Sequence, residues 1–364
     1  MSSAQSRDFL ARIVPEVKSG GARNIVELAK SLRMPVETTR YKVKGILKRG
    51  LSVHASLDYT KFGLTNYYTR FYLTQRSREG EKRFFQGLAD FCYLTSFARR
   101  VTTNEFACTF AVPHANGASS SLIHRLLRGL AEEKLIDSPK ISGVTWKKAH
   151  MVQPEFFNLK KGVWEVDWSK LRKEPATQSR AEEKESREAD YDDLDLMIAR
   201  ELEVDALSRL SDIANSLKTT LNNIFYHFHK HITEGKLFEE FVIRWNGTPK
   251  QETMFVQLEF ENLSFSEEKI SRATVRKLPF LWSDAFSRDT GYYVGEAIIP
   301  SSHYLETLNY VSGTLGETSR KLRVILLDPK TRQQIPLPAQ LFREGAWLFD
   351  PDSCIEQINA KLKK

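Results

Sequence analysis

The sequence contains two similar copies of one segment, which limits the chain to folds built from a repeated unit. Residues 24–50 read NIVELAKSLRMPVETTRYKVKGILKRG, and residues 209–235 read RLSDIANSLKTTLNNIFYHFHKHITEG. At a constant offset of 185, positions 29 and 214 are both Ala, and positions 50 and 235 are both Gly. Two further matches follow in the same order: TTNEFACTFAVP (102–113) with DTGYYVGEAIIP (289–300), and PEFFNLKKGVWEVD (154–167) with PAQLFREGAWLFD (338–350). Three ordered matches at nearly one offset indicate a tandem duplication.

The segment between the copies, residues 172–190, reads RKEPATQSRAEEKESREAD. It has no aromatic residue and almost no large apolar residue, so it cannot bury enough surface to offset its ordering entropy. We therefore interpret it as a linker. The predicted order is a helix-turn-helix domain (1–55), an α+β ligand-binding or dimerisation domain (56–171), the linker (172–190), a second helix-turn-helix domain (191–245) and a second α+β domain (246–364).

Each repeat begins with a pattern typical of a helix-turn-helix. In residues 24–50 the apolar positions recur at steps of three and four, and Pro35 interrupts the run where a second helix can begin. A generic helical hairpin is the alternative interpretation. The second helix of the first copy favours DNA, because hydroxyl and cationic side chains on an outward face suit the major groove and phosphates. The predicted DNA contacts there are Thr38, Thr39, Arg40, Lys42, Lys44, Lys48 and Arg49.

The second copy replaces this lysine-rich face with asparagine and histidine. The predicted, weaker DNA contacts there are Asn222, Asn223, His227 and Lys230. His227 and His231 lie one helical turn apart and could ligate a metal. Because no cysteine lies nearby, a solvated helix face is the favoured interpretation, and no metal site is predicted.

The period then changes to two, as in residues 67–73 and 254–260, which predicts strands. The first copy continues with a predicted helix, two strands, a helix and a strand, at about 78–90, 91–99, 104–113, 118–133 and 134–144. This βαββαβ order predicts an antiparallel ferredoxin-like sheet with both helices on one face. The fold class is therefore α+β, with two tandem units, each a winged helix-turn-helix followed by a ferredoxin-like domain. The Gly-x-Trp segments that end each copy are expected to form hairpins that cover a sheet edge.

These segments resemble the leucine-responsive (Lrp/AsnC) transcription regulators. In the first copy the resemblance rests on ELAKSLRMPVETTRYKVKGILKRGL, followed by ASLDYTKFGL and a βαββαβ pattern. In the second copy it rests on YDDLDLMIARELEVDALSRLSDIANSL. The resemblance implies a sequence-specific regulator that binds double-stranded DNA and associates through its α+β domains. A fused pair implies an internal pseudo-dimer whose two sheets pack against each other, and it leaves a further homo-oligomer open.

The resemblance also implies a small-molecule effector. The family's effector loop reads Thr-Gly-Asp-Tyr-Asp, and residues 290–294 read TGYYV, which lacks both acidic positions. Loss of these carboxylates argues against a free amino acid as the effector. The effector contacts that we expect are Arg100, Arg288, Thr290, Gly291 and Tyr293.

An enzyme is the alternative from another functional class. Siroheme decarboxylases share this order of units and use a cluster of His, Tyr and Arg near the second and third strands. Here that region offers arginine and tyrosine, which can hold carboxylates, but no histidine as general acid. We therefore expect no catalytic residue and no cofactor, and we keep the tetrapyrrole enzyme and a non-catalytic scaffold as alternatives.

Charge is divided unevenly between the two copies. Residues 1–171 carry a net charge of +13, and the remainder carries −5, so the first half is expected to hold the DNA. Three scattered cysteines argue against disulfides and a structural zinc site, and no apolar run approaches the roughly 20 residues of a membrane span. A cytoplasmic protein without membrane contact is expected.

Overall fold

The computed structural model describes residues 3–18, 25–48, 50–114, 119–151, 153–158, 161, 163–173, 189–235, 237–245 and 252–363. It is a mixed fold, with 47% helix and 29% strand. Among the described residues, no helix is long and apolar enough to cross a membrane. Most of the predicted linker, residues 174–188, lies outside the described residues, whereas 172 and 173 belong to a helix.

The first half contains seven described helices and eight described strands. The helices are α1 (Ser3–Lys18), α2 (Ile25–Ser31), α3 (Val36–Leu47), α4 (Gln75–Glu79), α5 (Glu81–Phe91), α6 (Ser119–Glu132) and α7 (Trp168–Lys173). The strands are β1 (Leu51–Leu57), β2 (Leu64–Leu73), β3 (Leu94–Arg99), β4 (Phe106–Pro113), β5 (Ile136–Gly143), β6 (Trp146–Ala149), β7 (Phe157–Asn158) and β8 (Val163–Trp164).

The second half repeats this order within the described residues. Its helices are α8 (Asp193–Val204), α9 (Leu210–Ser216), α10 (Leu221–His227), α11 (Phe265–Val275), α12 (Tyr304–Leu315) and α13 (Pro351–Lys363), and a π-helical segment, Phe228–Glu234, continues α10. Its strands are β9 (Phe238–Trp245), β10 (Thr253–Phe260), β11 (Leu281–Ser287), β12 (Tyr292–Pro300), β13 (Leu322–Leu327), β14 (Gln333–Gln334), β15 (Phe342–Arg343) and β16 (Ala346–Trp347).

The two helix pairs turn in the same way. Arg33 and Lys218, which are equivalent at the offset of 185, both adopt φ of 52° between the paired helices. A non-glycine residue rarely takes this left-handed conformation. The two helix pairs therefore share this turn geometry at positions that are equivalent in the repeat.

Each half also contains an antiparallel sheet of the same topology. The strand orders are β14-β3-β4-β2-β5 and β13-β10-β12-β11-β6. In the first sheet, β4 lies between β3 and β2, and β5 lies beside β2. In the second sheet, β12 lies between β11 and β10, and β13 lies beside β10. The fifth strand comes from the other half: β14 pairs with β3, and β6 pairs with β11.

The halves exchange further elements. β1 pairs with β9 in an antiparallel ribbon. Among the described residues, neither strand forms a hairpin within its own half, so the predicted winged helix-turn-helix of each unit is not confirmed. Helix α13 packs on α5 and α6, and α7 packs on α12. Each half thus contributes elements to the core of the other.

The sheets pack face to face, as the pseudo-dimer prediction requires. Tyr68 of β2 stacks on Tyr292 of β12 with ring centroids 5.3 Å apart, and Arg100 forms an ion pair with Glu259 of β10. The Gly-x-Trp segments form the predicted hairpins, β7-β8 and β15-β16. The sheet edges are extended by β6 and β14 instead, so the hairpins do not serve the predicted role of covering an edge.

Candidate active site

The candidate site is built around Trp282, the extra residue of a β-bulge. In β11, Leu281 pairs with Ala297 and Ser283 pairs with Glu296, so Trp282 has no partner of its own on β12. A bulge bends the strand and redirects one side chain. In the first copy the equivalent bulge, at the offset of 187, holds Thr95. The indole therefore distinguishes the second copy from the first.

Three cationic side chains gather near this indole. The guanidinium carbons of Arg244 and Arg332 each lie 4.2 Å from the centroid of the Trp282 ring. Lys147, on the exchanged strand β6, lies close enough to both arginines to be affected by their charge. We call Lys147, Arg244, Arg332 and Trp282 the cationic recess.

Desolvation dominates the electrostatics of the cationic recess. Burial lowers the pKa of Arg244 to about 10, with Arg332 adding to the effect, while Glu203 opposes it. Burial also lowers the pKa of Lys147 and of Arg332. The Lys147 side chain is nevertheless open to water.

The cations of this recess are not neutralised by direct partners. Within the described part of the chain, no carboxylate lies within 4.0 Å of the side-chain nitrogens of Lys147, Arg244 or Arg332. The buried Nε of Arg244 and Nε1 of Trp282 have no hydrogen-bond partner there. Buried charges in proteins are normally paired, because leaving them unpaired is costly. The recess is thus suited to an anionic ligand.

A protonatable carboxyl group lies beside the recess. Glu203 accepts hydrogen bonds from the hydroxyl of Tyr59 at 2.7 Å and from the backbone nitrogen of Leu337 at 2.7 Å. Burial raises the pKa of Glu203, and hydrogen bonds and the charges of Lys147 and Arg244 only partly offset this. Burial also raises the pKa of Tyr59. For both groups, burial favours the protonated form over the charged form.

His54 lies next to Glu203. Its Nδ1 is 3.1 Å from the carbonyl oxygen of Glu203, and its Nε2 is 2.7 Å from Oγ of Ser52. Because a carbonyl can only accept, the proton is on Nδ1. Burial and the charge of Arg244 lower the pKa of His54, so the ring is neutral.

A buried polar network connects this recess to the space between the sheets. Arg100, which is 3% exposed, donates a hydrogen bond to Glu105 at 2.8 Å and forms an ion pair with Glu259. The hydroxyl of Tyr292 also donates a hydrogen bond to Glu259, at 2.5 Å. Gln257 accepts from the hydroxyl of Tyr68 at 3.1 Å. Its amide nitrogen donates to Glu296 at 3.0 Å, and Glu296 in turn acts electrostatically on the three cations of the recess.

The structure modifies the predicted DNA-contacting face of α3. Thr38, Arg40, Lys44 and Lys48 are exposed, and Lys42 is half-buried with its Nζ 4.6 Å from the Phe9 ring centroid. Thr39 is fully buried. Its hydroxyl donates to the carbonyl of Pro35 at 3.1 Å, so its predicted outward orientation is wrong. Arg49 lies outside the described residues.

On the second helix pair, Asn222, Asn223 and Lys230 are exposed, and Lys230 pairs with Glu234 at 2.9 Å. His227 is only 8% exposed, and its Nδ1 lies 2.9 Å from Asp195. It therefore faces α8 rather than solvent, which corrects both its predicted DNA contact and its assignment to a solvated face.

The predicted effector residues are not brought together in one site. Arg100 lies between the sheets, and Tyr293 points away from that space, donating to Asp284 at 3.0 Å. Arg288 and Thr290 are exposed. Gly291 lies tightly against the backbone of residue 263: a Cβ there would come within 2.7 Å of its carbonyl oxygen. The loop leaves no room at this glycine for a ligand carboxylate.

Solved structures with a similar fold match this chain over its whole length. The siroheme decarboxylase NirDL matches 99% of this chain and 100% of its own, with 9% identity and a TM-score of 0.57. NirDL in complex with an iron-uroporphyrin III analogue matches 99% of both chains, with 9% identity and a TM-score of 0.51. The AsnC regulator of E. coli matches 42% of this chain and 98% of its own, with 14% identity and a TM-score of 0.30, too low to support an argument.

No protein-family model matches the sequence, and no curated protein matches it. Structural neighbours thus include AsnC-type regulators over part of the chain and a decarboxylase over all of it. The prediction that this chain is not an enzyme is corrected by the two full-length matches, because the fold that extends over the whole chain is that of an enzyme.

The sequence interpretation missed the residues of the cationic recess. One signal was available: Lys147 and Arg332 are equivalent at the repeat offset of 185, so the duplication retains a cation at this position in both copies. Arg244 and Glu203 had no comparable signal, because only the tertiary fold brings them to the recess.

Proposed function

We propose that this chain binds a tetrapyrrole bearing several carboxylates and decarboxylates it, as the siroheme decarboxylase of the same fold acts on siroheme. The observation that carries the proposal is the cationic recess, with three desolvated cations beside an indole. Arginine and lysine recognise carboxylates through charge-assisted hydrogen bonds.

Decarboxylation of an acetate side chain breaks the bond between its methylene carbon and its carboxylate. The electron pair stays on the carbon, carbon dioxide leaves, and one proton is taken up to give a methyl group. Burial raises the pKa of Glu203 and so favours its protonated form, which makes Glu203 our candidate donor of that proton, with Tyr59 hydrogen-bonded to it. Lys147, Arg244 and Arg332 would hold the other carboxylates and so fix the position of the reacting side chain.

Titration of the purified full chain with the iron-uroporphyrin III analogue, followed by absorbance, tests the binding step. Arg244→Gln and Arg332→Gln should each weaken binding about 10- to 100-fold, since a hydrogen bond to a charged group contributes about 1.5–3 kcal/mol. Arg320→Gln is the control, because this arginine is 80% exposed and paired with Glu317 on the surface. Equal affinity in all four proteins, or no binding by the parent chain, would refute the proposal.

Catalysis requires its own measurement. With siroheme as substrate, mass spectrometry should show loss of one carbon dioxide for each carboxylate removed. Glu203→Gln should retain binding and lose about 100-fold or more of the rate, which is the contribution typical of a general acid. A Glu203→Gln protein that decarboxylates at the parent rate would remove Glu203 from this role.

Duplex DNA binding is a second candidate activity, supported by the exposed face of α3. Arg40, Lys44 and Lys48 present positive charge on one surface of a short helix. DNA retention by the full chain should fall with salt, with a slope of about −0.9 per phosphate contact. Lys44→Ala with Lys48→Ala should reduce that slope by roughly one to two units. Retention that does not depend on these lysines would exclude α3 as the contact.

We also infer that each half consists of a helix-turn-helix followed by a ferredoxin-like domain. Three observations support this: the repeated helix pair, the repeated strand order, and the helices that connect the first strand to the second and the third to the fourth in each sheet.

A further inference from the structure

A second group of polar side chains lies between α8 and the end of α10. Nδ1 of His227 is 2.9 Å from one carboxylate oxygen of Asp195, and Nδ1 of His231 is 2.8 Å from the other. Asp192 lies 3.6 Å from Nδ1 of His227. The four ligand atoms, one from each residue, lie within 4.8 Å of one another.

The charge of this cluster lacks a permanent counterion. Asp195 is fully buried, and the described residues place no lysine or arginine within 4.0 Å of it. Its other partner is the backbone nitrogen of Asp192, in the capping box of α8. A buried carboxylate is normally paired with a cation or bound to a metal.

The backbone is also unusual at this point. Residues Phe228–Glu234 form a π-helix, whereas the equivalent helix of the first copy, α3, is a regular α-helix from Val36 to Leu47. π-helical segments are rare and are frequently found at functional sites. At the repeat offset, His227 and His231 correspond to Lys42 and Ile46, so the first copy lacks both imidazoles. The π-helix and the histidine pair therefore occur together in one copy only.

We propose that Asp192, Asp195, His227 and His231 bind one divalent first-row transition ion, with Zn²⁺ as the best match. Two imidazole nitrogens and two carboxylate oxygens are a donor set that zinc accepts in a tetrahedron. With bonds of about 2.0–2.2 Å, neighbouring ligand atoms of a tetrahedron lie about 3.4 Å apart. The 2.8 and 2.9 Å separations found here involve different oxygens of Asp195. Since four ligand atoms, one from each residue, lie within 4.8 Å of one another, a tetrahedron requires shifts of about 1.4 Å or less.

Bound metal would fasten α8 to the second helix of the second pair. Helix α8 packs on β1 of the other half, so the ion would also fix that helix pair relative to the ribbon β1-β9. Since a ligand that binds the folded chain stabilises it by mass action, zinc should raise the melting temperature. This site is independent of the tetrapyrrole proposal.

The test is a titration of the metal-free full chain with Zn²⁺ by calorimetry, and with Co²⁺ by visible absorption. One ion per chain should bind, and Co²⁺ should give the intense visible bands of tetrahedral coordination. Loss of one ligand in His231→Gln should weaken binding more than about 100-fold, since even outer-sphere changes cost about 10- to 100-fold. His231 is partly exposed, so this variant should still fold, as far-UV circular dichroism will check.

His229→Gln is the matched control, because His229 is exposed on the same helix and contacts Phe225 and Phe228 instead of the aspartates. It should bind Zn²⁺ like the parent chain. Equal weakening in both variants, unchanged binding in His231→Gln, or no stoichiometric binding by the parent would overturn the proposal. In the last case the cluster is a hydrogen-bonded network only.

Discussion

Replacing Arg100 with methionine should destabilise the chain far more than removing a surface arginine. Arg100 is 3% exposed and Glu259 is fully buried, and this pair joins β3–β4 of one half to β10 of the other. Removing one partner of a buried ion pair costs about 3–5 kcal/mol, because the remaining charge is left uncompensated. Arg70, 3.4 Å from Glu259, retains part of the compensation, which places the expected loss near the lower end, at about 3 kcal/mol.

Arg125→Met is the matched control. Arg125 pairs with Asp352 across the same two halves, but the side chains are 52% and 57% exposed. An exposed ion pair contributes about 0–1 kcal/mol. Urea unfolding, followed by tryptophan fluorescence and far-UV circular dichroism, gives the free energy of unfolding for each variant. The expected difference corresponds to about a 100-fold change in the folding equilibrium.

The double variant Arg100→Met, Glu259→Gln separates charge from packing. Because the amide removes the uncompensated carboxylate, it should recover at least half of the loss seen in Arg100→Met. Should Arg100→Met and Arg125→Met lower the free energy of unfolding equally, the buried network would not hold the halves together. Should the double variant be worse than Arg100→Met, the loss would come from packing rather than from charge.

Two further predictions concern the second half. Burial opposes ionisation of Asp284, but hydrogen bonds from His150 and Arg276 outweigh it and hold the pKa of Asp284 below its ordinary value. Its contribution to stability is therefore present above the unfolded-state pKa of about 3.9 and is lost as pH falls through the folded-state value. Asp284→Asn should flatten the acid side of the curve of melting temperature against pH, and an unchanged acid side would contradict this. Gly291 has φ of 58°, and a Cβ there would lie 2.7 Å from a backbone oxygen, whereas Gly316, with φ of 53°, has nothing within 4 Å. Gly291→Ala should thus lose about 1–3 kcal/mol more than Gly316→Ala by thermal unfolding, and equal losses would show that the close approach can relax.

Local patterns predicted the elements of each half well, because the periods of helices and strands depend on neighbours in sequence. The expected helix at 118–133 is α6 (119–132), and the expected strand at 104–113 is β4 (106–113). The same reasoning could have placed Thr39 inside, since it lies four and seven positions from Val43 and Ile46 on one helix face.

The candidate site was far less accessible to such reasoning. Lys147 reaches the cationic recess because β6 joins the sheet of the other half, and Glu203 reaches it from a helix that packs across the repeat. His227 is buried because Asp195, 32 residues earlier, supplies its partner. The first two contacts depend on the exchange of elements between the halves, and the third depends on packing between two helices of the second half. A short-range pattern contains no information about either.

The fusion of the two copies explains how such a site can be asymmetric. Arg70 and Glu259 occupy equivalent positions, because they pair with the equivalent residues Ala107 and Val294 of β4 and β12. They also contact each other across the sheet interface. In a symmetric dimer of identical chains this position would face its own copy, placing arginine against arginine or glutamate against glutamate. Fusion removes that constraint, so one copy can hold Trp282 at the bulge while the other holds Thr95, and the interior can specialise on one side.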